Sequence, residues 1–187
     1  MAHADNSALL RKLRGMLNKE VVFREWDGKT IVQKAPKKGK STPNQEGTRK
    51  NFKLASLYAN AICKAEDQSL AEAYALVLKP RQNVFSRATE DFMIVPEIKF
   101  IRTDGYKGAV GDKITIRAID DFRVLNVIVE IHSADGALLE SGNAVQNING
   151  IDWTYFITKA NEPSTGVKIK AIATDVPGHE GILEVVL

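Results

Sequence analysis

At Pro96 the spacing of apolar residues changes from every third or fourth position to every second one, which confines the chain to a helical part followed by a strand-rich part. After it, Ile98 and Phe100; Ile114, Ile116 and Ala118; Val124, Val127, Val129 and Ile131; Trp153, Tyr155 and Ile157; Val167, Ile169, Ala171 and Ala173; and Ile182, Leu183 and Val185 are successive strand candidates. Between them stand Asp104-Gly105, Gly111-Asp112, Asp120-Asp121, Asp135-Gly136, Asn149-Gly150, Ser164-Thr165-Gly166 and Pro177-Gly178, all turn-forming combinations.

Before Pro96 the pattern begins with a hairpin. Asp27-Gly28 supplies the positive φ of a tight turn, with Val21, Phe23 and Ile31 assigned to one face of the ribbon and Val22, Arg24, Thr30 and Val32 to the other. Pro36 ends the second strand, and Lys34, Lys37, Lys38 and Lys40 with Gly39 make a basic connector. Thr42-Pro43-Asn44-Gln45 has the order of a capping box with proline at the first helical position, so a helix starts there. Phe52, Ala55, Tyr58, Ala59, Ile62 and Cys63 mark its expected buried stripe, which makes Cys63 a small core residue. Leu70, Ala73, Tyr74 and Val77 indicate a second helix, stopped at Lys79-Pro80, and Phe85, Ala88 and Phe92 a third, from about Gln82 to Met93. Upstream, any of Asp5, Asn6 and Ser7 can cap a short helix carrying Leu9, Leu10, Leu13, Met16 and Leu17; Gly15 within it weakens the helix, and an extended arm is the competing reading.

These signals give an α+β fold: residues 1–95 as a hairpin and short helices with a basic arm, and residues 96–187 as an immunoglobulin-like β-sandwich, the expected form for six or seven short strands with turns between them. Charge follows the same division. Residues 1–95 hold seventeen Lys and Arg against ten Asp and Glu, net +7, while residues 96–187 hold nine against thirteen, net −4. Opposite charge on two parts fits either a nucleic-acid-binding arm or mutual attraction between neighbouring copies. No run of about 18 apolar residues exists and the first residues lack the apolar core of a secretion signal, so the expectation is cytoplasmic synthesis, no membrane span, and a final place in a particle or extracellular assembly.

The segments Gly111-Asp-Lys-Ile-Thr-Ile-Arg-Ala118, Asp121-Phe-Arg-Val-Leu-Asn-Val-Ile-Val-Glu-Ile131 and Lys170-Ala-Ile-Ala-Thr-Asp-Val-Pro-Gly-His179 resemble bacterial immunoglobulin-like modules, whose closing strands often read Ala-x-Asp-x-x-Gly-Asn; His179 stands where those modules have Asn. The earlier half, with Gly28-Lys29-Thr-Ile-Val32, Pro43, Gln45, Arg49 and Phe52, is similar to a domain of unknown function in small bacterial proteins, some of them phage- or particle-associated. Neither resemblance brings an active site.

No catalytic, cofactor or metal residues are read from the sequence. His3, His132 and His179 are scattered with no Cys or second His at ligand spacing. Asp104, Asp112, Asp120, Asp121, Asp135 and Asp175 sit in turns without the spacing of a calcium loop. Lys37-Lys-Gly-Lys-Ser-Thr42 lacks the upstream glycine of a phosphate loop. The candidate contact set is Leu9, Leu13, Phe23, Arg24, Trp26, Lys29, Lys34, Lys37, Lys38, Lys40 and Arg49, joining cationic and aromatic groups. The expectation is a non-enzymatic, self-assembling homo-oligomer, a subunit of a filament, virion or injection-type particle that engages its neighbours through the arm and hairpin, with no small-molecule substrate. Nucleic-acid binding through the basic hairpin and connector is the alternative.

Overall fold

The computed structural model describes residues 2–3, 13–36, 39–161 and 166–187. It is an α+β structure with three four-stranded antiparallel sheets and three helices among the described residues. Two compact units divide the chain, Met1–Glu46 and Gly47–Leu187. The change of periodicity at Pro96 lies inside the second.

In the first unit β1 (Ala2–His3), β2 (Gly15–Leu17), β3 (Val21–Trp26) and β4 (Lys29–Lys34) form a sheet in the order β1-β4-β3-β2. Asp27 at φ 54° and Gly28 at φ 74° close β3 on β4, both residues in the left-handed region as a two-residue type I′ turn requires. The register corrects the expected faces. With Trp26 opposite Lys29, partners differ in parity, so Arg24 meets Ile31 and Phe23 meets Val32. Directly paired residues share a face; Ile31 therefore lies with Val22 and Arg24, and Val32 and Thr30 with Val21 and Phe23. A second correction concerns residues 15–17, which pair with β3 as a strand instead of continuing a helix. Gly15 at φ 111° is outside helical geometry, and Met16 and Leu17 are exposed. The earlier part of that expected helix, from Asp5 with Leu9 and Leu10, lies outside the described residues.

Helix α1 (Pro43–Lys64) begins at the expected capping box: the Thr42 N–H donates to Gln45 Oε1 at 3.1 Å and the Gln45 N–H to Thr42 Oγ1 at 3.3 Å. Its buried residues are Ala55, Ala59 and Ile62; Phe52 and Cys63 are exposed. Cys63 is thus not a core residue, because the inward stripe of α1 is centred between Ala55 and Ile62 and Cys63 falls to one side of it. Helix α2 (Ser69–Ala75) follows, and then α3 (Val84–Met93), which carries its own capping box between Asn83 and Ser86. Ala59, Ile62, Ala71, Tyr74 and Ala88 form one apolar cluster, with Tyr58, Phe85 and Phe122 packed on it.

Strands β5 (Glu97–Arg102), β6 (Lys113–Ile119), β7 (Val124–His132), β8 (Leu138–Asn143), β9 (Val145–Gln146), β10 (Asp152–Phe156), β11 (Lys168–Asp175) and β12 (Glu180–Val186) make two sheets, ordered β5-β6-β10-β9 and β12-β11-β7-β8. One core takes residues from both, including Ile114, Ile116, Val127, Val129, Ile131, Trp153, Tyr155, Ile169 and Ala171. Each of the larger aliphatic chains there contributes roughly 1.5–3 kcal/mol by leaving water. Two glycines set close approaches. A Cβ on Gly181 would stand 1.9 Å from the Pro96 carbonyl oxygen, and one on Gly142 would stand 2.9 Å from the Tyr155 ring.

Candidate functional site: the N-terminal sheet

The hairpin places Arg24, Trp26, Lys29, Ile31 and Gln33 on one face of the first sheet, with Met16 of β2 beside Val22. Trp26 is 67% exposed at the tip. Of the cationic and aromatic groups in the contact set, Arg24, Trp26 and Lys29 share this face. The opposite face holds Leu17, Val21, Phe23, Glu25, Thr30, Val32 and Lys34. Phe23 is only half-buried, and Lys34 is exposed at the far end from the turn. Arg14 Nε donates to Glu25 Oε2 at 2.9 Å, so part of the positive charge next to the turn is neutralised; both groups line a shallow hollow with Arg24, Asp27 and Gly28. Leu13 precedes β2 and is exposed, as are Lys40 in the connector and Arg49 on α1. Leu9, Lys37 and Lys38 lie outside the described residues.

This sheet has little core among the described residues. Among its described residues only Val22 and Thr30 are buried, and neither apolar cluster of the molecule includes any of them. Met16 and Leu17 are 59% and 62% exposed. An antiparallel sheet ordinarily covers one face with apolar packing. Among the described residues the first and last strands, β1 and β2, each pair on one side only, leaving backbone N–H and C=O groups for a further strand.

A buried polar chain in the second unit is the feature that sequence reading missed. Tyr58 and Tyr74 share a hydrogen bond between their hydroxyls at 3.0 Å, and the Tyr74 hydroxyl donates to Asp91 Oδ2 at 2.6 Å. Asp91 is fully buried, and burial pushes its carboxyl up to about 6, Tyr74 pulling the other way and Asp120 and Asp175 adding to the rise. Burial and the neighbouring Asp91 push the Tyr74 hydroxyl far above its ordinary range. Arg87, 2% exposed, pairs with Asp121 and donates from Nη2 to its carbonyl at 2.7 Å. Phe122 stacks on Tyr74 with ring centroids 4.3 Å apart, and His179 meets Phe92 edge-on at 4.6 Å. The cluster joins helices to strand connections. Its sequence signal was Arg87 and Asp91 four residues apart, next to the Phe85, Ala88 and Phe92 stripe of the helix.

Several other titratable groups have structural partners. Glu140 is buried, which opposes its charge, yet donors from Thr158 and Tyr155 within 2.8 Å hold its pKa below the usual value. Asp112 accepts the backbone N–H groups of Lys107 and Ala109, and Asp175 those of Gly178 and His179, together with a His179 ring contact at 3.1 Å. His132 lies between Gly136 O and Glu130. Among the described residues no group of three or more His, Cys, Asp or Glu is placed to hold a metal, and no helix is long and apolar enough to cross a membrane.

No protein-family model matches this chain, and no curated protein matches it. Among solved structures, CopC from Methylosinus trichosporium OB3b is similar at 14% identity and TM-score 0.34, over 48% of this chain and 87% of its own. An engineered protein is similar at 17% identity and TM-score 0.32, over 54% of this chain and 21% of its own. Scores this low assign neither fold nor function.

Proposed function

We propose that this chain is a non-enzymatic structural subunit that self-assembles, with its N-terminal sheet as the contact between copies. The observation that carries the reading is a four-stranded sheet with exposed Met16, Leu17 and Trp26 and, among the described residues, open edges at β1 and β2 and no apolar cluster of its own. Strands or side chains from a neighbouring copy would cover those faces and satisfy those edges. The charge division supports the same reading, because a basic arm and an acidic remainder attract when copies meet head to tail. A filament, virion or injection-type particle is the class of assembly to which the sequence resemblance points. We also infer that the two sheets of the second unit are an immunoglobulin-like sandwich. Lettered in chain order A, B, C, C′, D, E, F, G, strands β5 to β12 read A-B-E-D and G-F-C-C′, the order of such domains.

Deleting residues 1–40 tests the assembly. The expected product is folded and monomeric by light scattering; a truncated chain that assembles like the parent overturns the role of the arm. The second reading, a nucleic-acid surface, has one observation in its favour: Arg24, Trp26 and Lys29 share a face, as in platforms that stack bases. Under that reading, reversing the charge of Lys37, Lys38 and Lys40 weakens binding to single-stranded DNA and flattens its salt dependence. Absence of binding at low salt refutes it.

A further inference from the structure

We propose that α1 of one copy docks on the outer face of the β12-β11-β7 sheet of the next copy; the inference rests on the assembly reading and gives that assembly a second contact and a direction. Helix α1 has two apolar faces. Ala55, Ala59 and Ile62 point into its own unit. Leu54, Leu57 and Ala61, at the three- and four-residue spacing of a helix-packing seam, lie on the other side and are exposed, Leu54 by 53% and Leu57 by 58%. Lys50 continues that seam and Lys53 flanks it; both are exposed. A seam of this kind in an isolated subunit leaves leucine in water without a partner.

The sheet offers the matching surface. Ile128 of β7, Ile172 of β11 and Ile182 of β12 are in register and form an apolar row on the face turned away from the core, since Val127, Val129, Ala171 and Ala173 alternate inward. Ile182 is 56% exposed. Along β12 the row is bracketed by Glu180 and Glu184, both exposed. Glu184 approaches Lys168 only at 3.8 Å, and Lys170 is taken up by Glu130 at 3.1 Å. The occupant follows from sign. Two α1 seams facing each other set lysine against lysine, and two of these sheet faces set glutamate against glutamate. The helix against the sheet pairs leucine with isoleucine and Lys50 and Lys53 with Glu180 and Glu184. Within one copy the seam is exposed, so the pairing belongs to two copies. A contact between unlike surfaces propagates head to tail, into a ring or an open filament.

Charge exchange tests it on the full chain. Lys50→Glu with Lys53→Glu, or Glu180→Lys with Glu184→Lys, should each raise the concentration at half-assembly by about tenfold or more, and the four changes together should return it to within about threefold of the parent. All four positions are exposed, and unchanged thermal melts establish that the variants fold. Either pair assembling like the parent, or no recovery in the combined variant, overturns the inference. Deletion of residues 1–40 separates this contact from the arm. If the deletion abolishes assembly while the charge variants assemble normally, the arm reading stands and this inference falls. If the deletion assembles like the parent while the charge variants are impaired, this inference stands and the arm reading falls.

Discussion

Replacing Asp91 by Asn should change how stability depends on pH in a way that no exposed carboxylate can. In the folded protein Asp91 is fully buried, and its pKa stands at about 6 against an ordinary 3.8. The folded state therefore holds a proton that the unfolded chain releases, so the contribution is fully present below the ordinary value and is lost as pH rises through about 6. The full span corresponds to about 3 kcal/mol, of which roughly half falls between about pH 5 and about pH 7.5. The charged and titratable groups facing it are Tyr74, Tyr58, Arg87, Asp120 and Asp175. Carboxylates held low, such as Glu140, Asp112 and Asp152, act with the opposite sign and lose stability in acid, so the parent profile alone is a sum. The difference between parent and Asp91→Asn isolates the site, because asparagine retains an oxygen for the Tyr74 hydroxyl without a charge. Urea unfolding followed through buried Trp153 over that pH range should show the parent losing stability relative to the variant as pH rises. Parallel profiles would refute the reasoning, by placing the titration of Asp91 in the ordinary range.

Three further outcomes follow from named contacts. Gly181→Ala forces a Cβ against the Pro96 carbonyl oxygen and should cost about 3 kcal/mol in chemical denaturation; a neutral result would show that this junction is looser than described. Glu140→Ala leaves the Tyr155 hydroxyl and both Thr158 donors without their acceptor and should cost roughly 2–3 kcal/mol, with the remaining stability less sensitive to acid than the parent's. Gly28→Val places a branched residue at φ 74° and should destabilise the first sheet selectively, read as faster hydrogen exchange in β3 and β4 without a change in β11.

Local chemistry made some elements readable and hid others. Asp27-Gly28 announced its turn and Thr42-Pro43-Asn44-Gln45 its helix, because each acts through its own backbone. The faces of the hairpin were misassigned, since they depend on the parity of pairing across the turn, and Ile31 and Val32 exchange sides on that point alone. Residues 15–17 take their structure from pairing with β3 across the turn at Asn18 and Lys19, both at positive φ, and that local hairpin outweighs the weak helical pattern of Leu13, Met16 and Leu17. Strands β8 and β9 escaped notice because Leu138 to Asn143 buries Glu140 and uses Gly142 to admit the Tyr155 ring, so apolar alternation is absent. The polar chain through Tyr58, Tyr74 and Asp91 is hidden for a different reason: its members are distant in sequence. Of the contact set, Arg24, Trp26 and Lys29 were named from the sequence and share one face, while the shortage of core in their sheet is apparent only from burial.

The mass of the purified full-length protein in solution, by light scattering at low and high salt, bears most directly on self-assembly. The account predicts objects many times the mass of one chain, smaller at high salt as attraction between the basic and acidic parts is screened. A single-chain mass at both salts contradicts it.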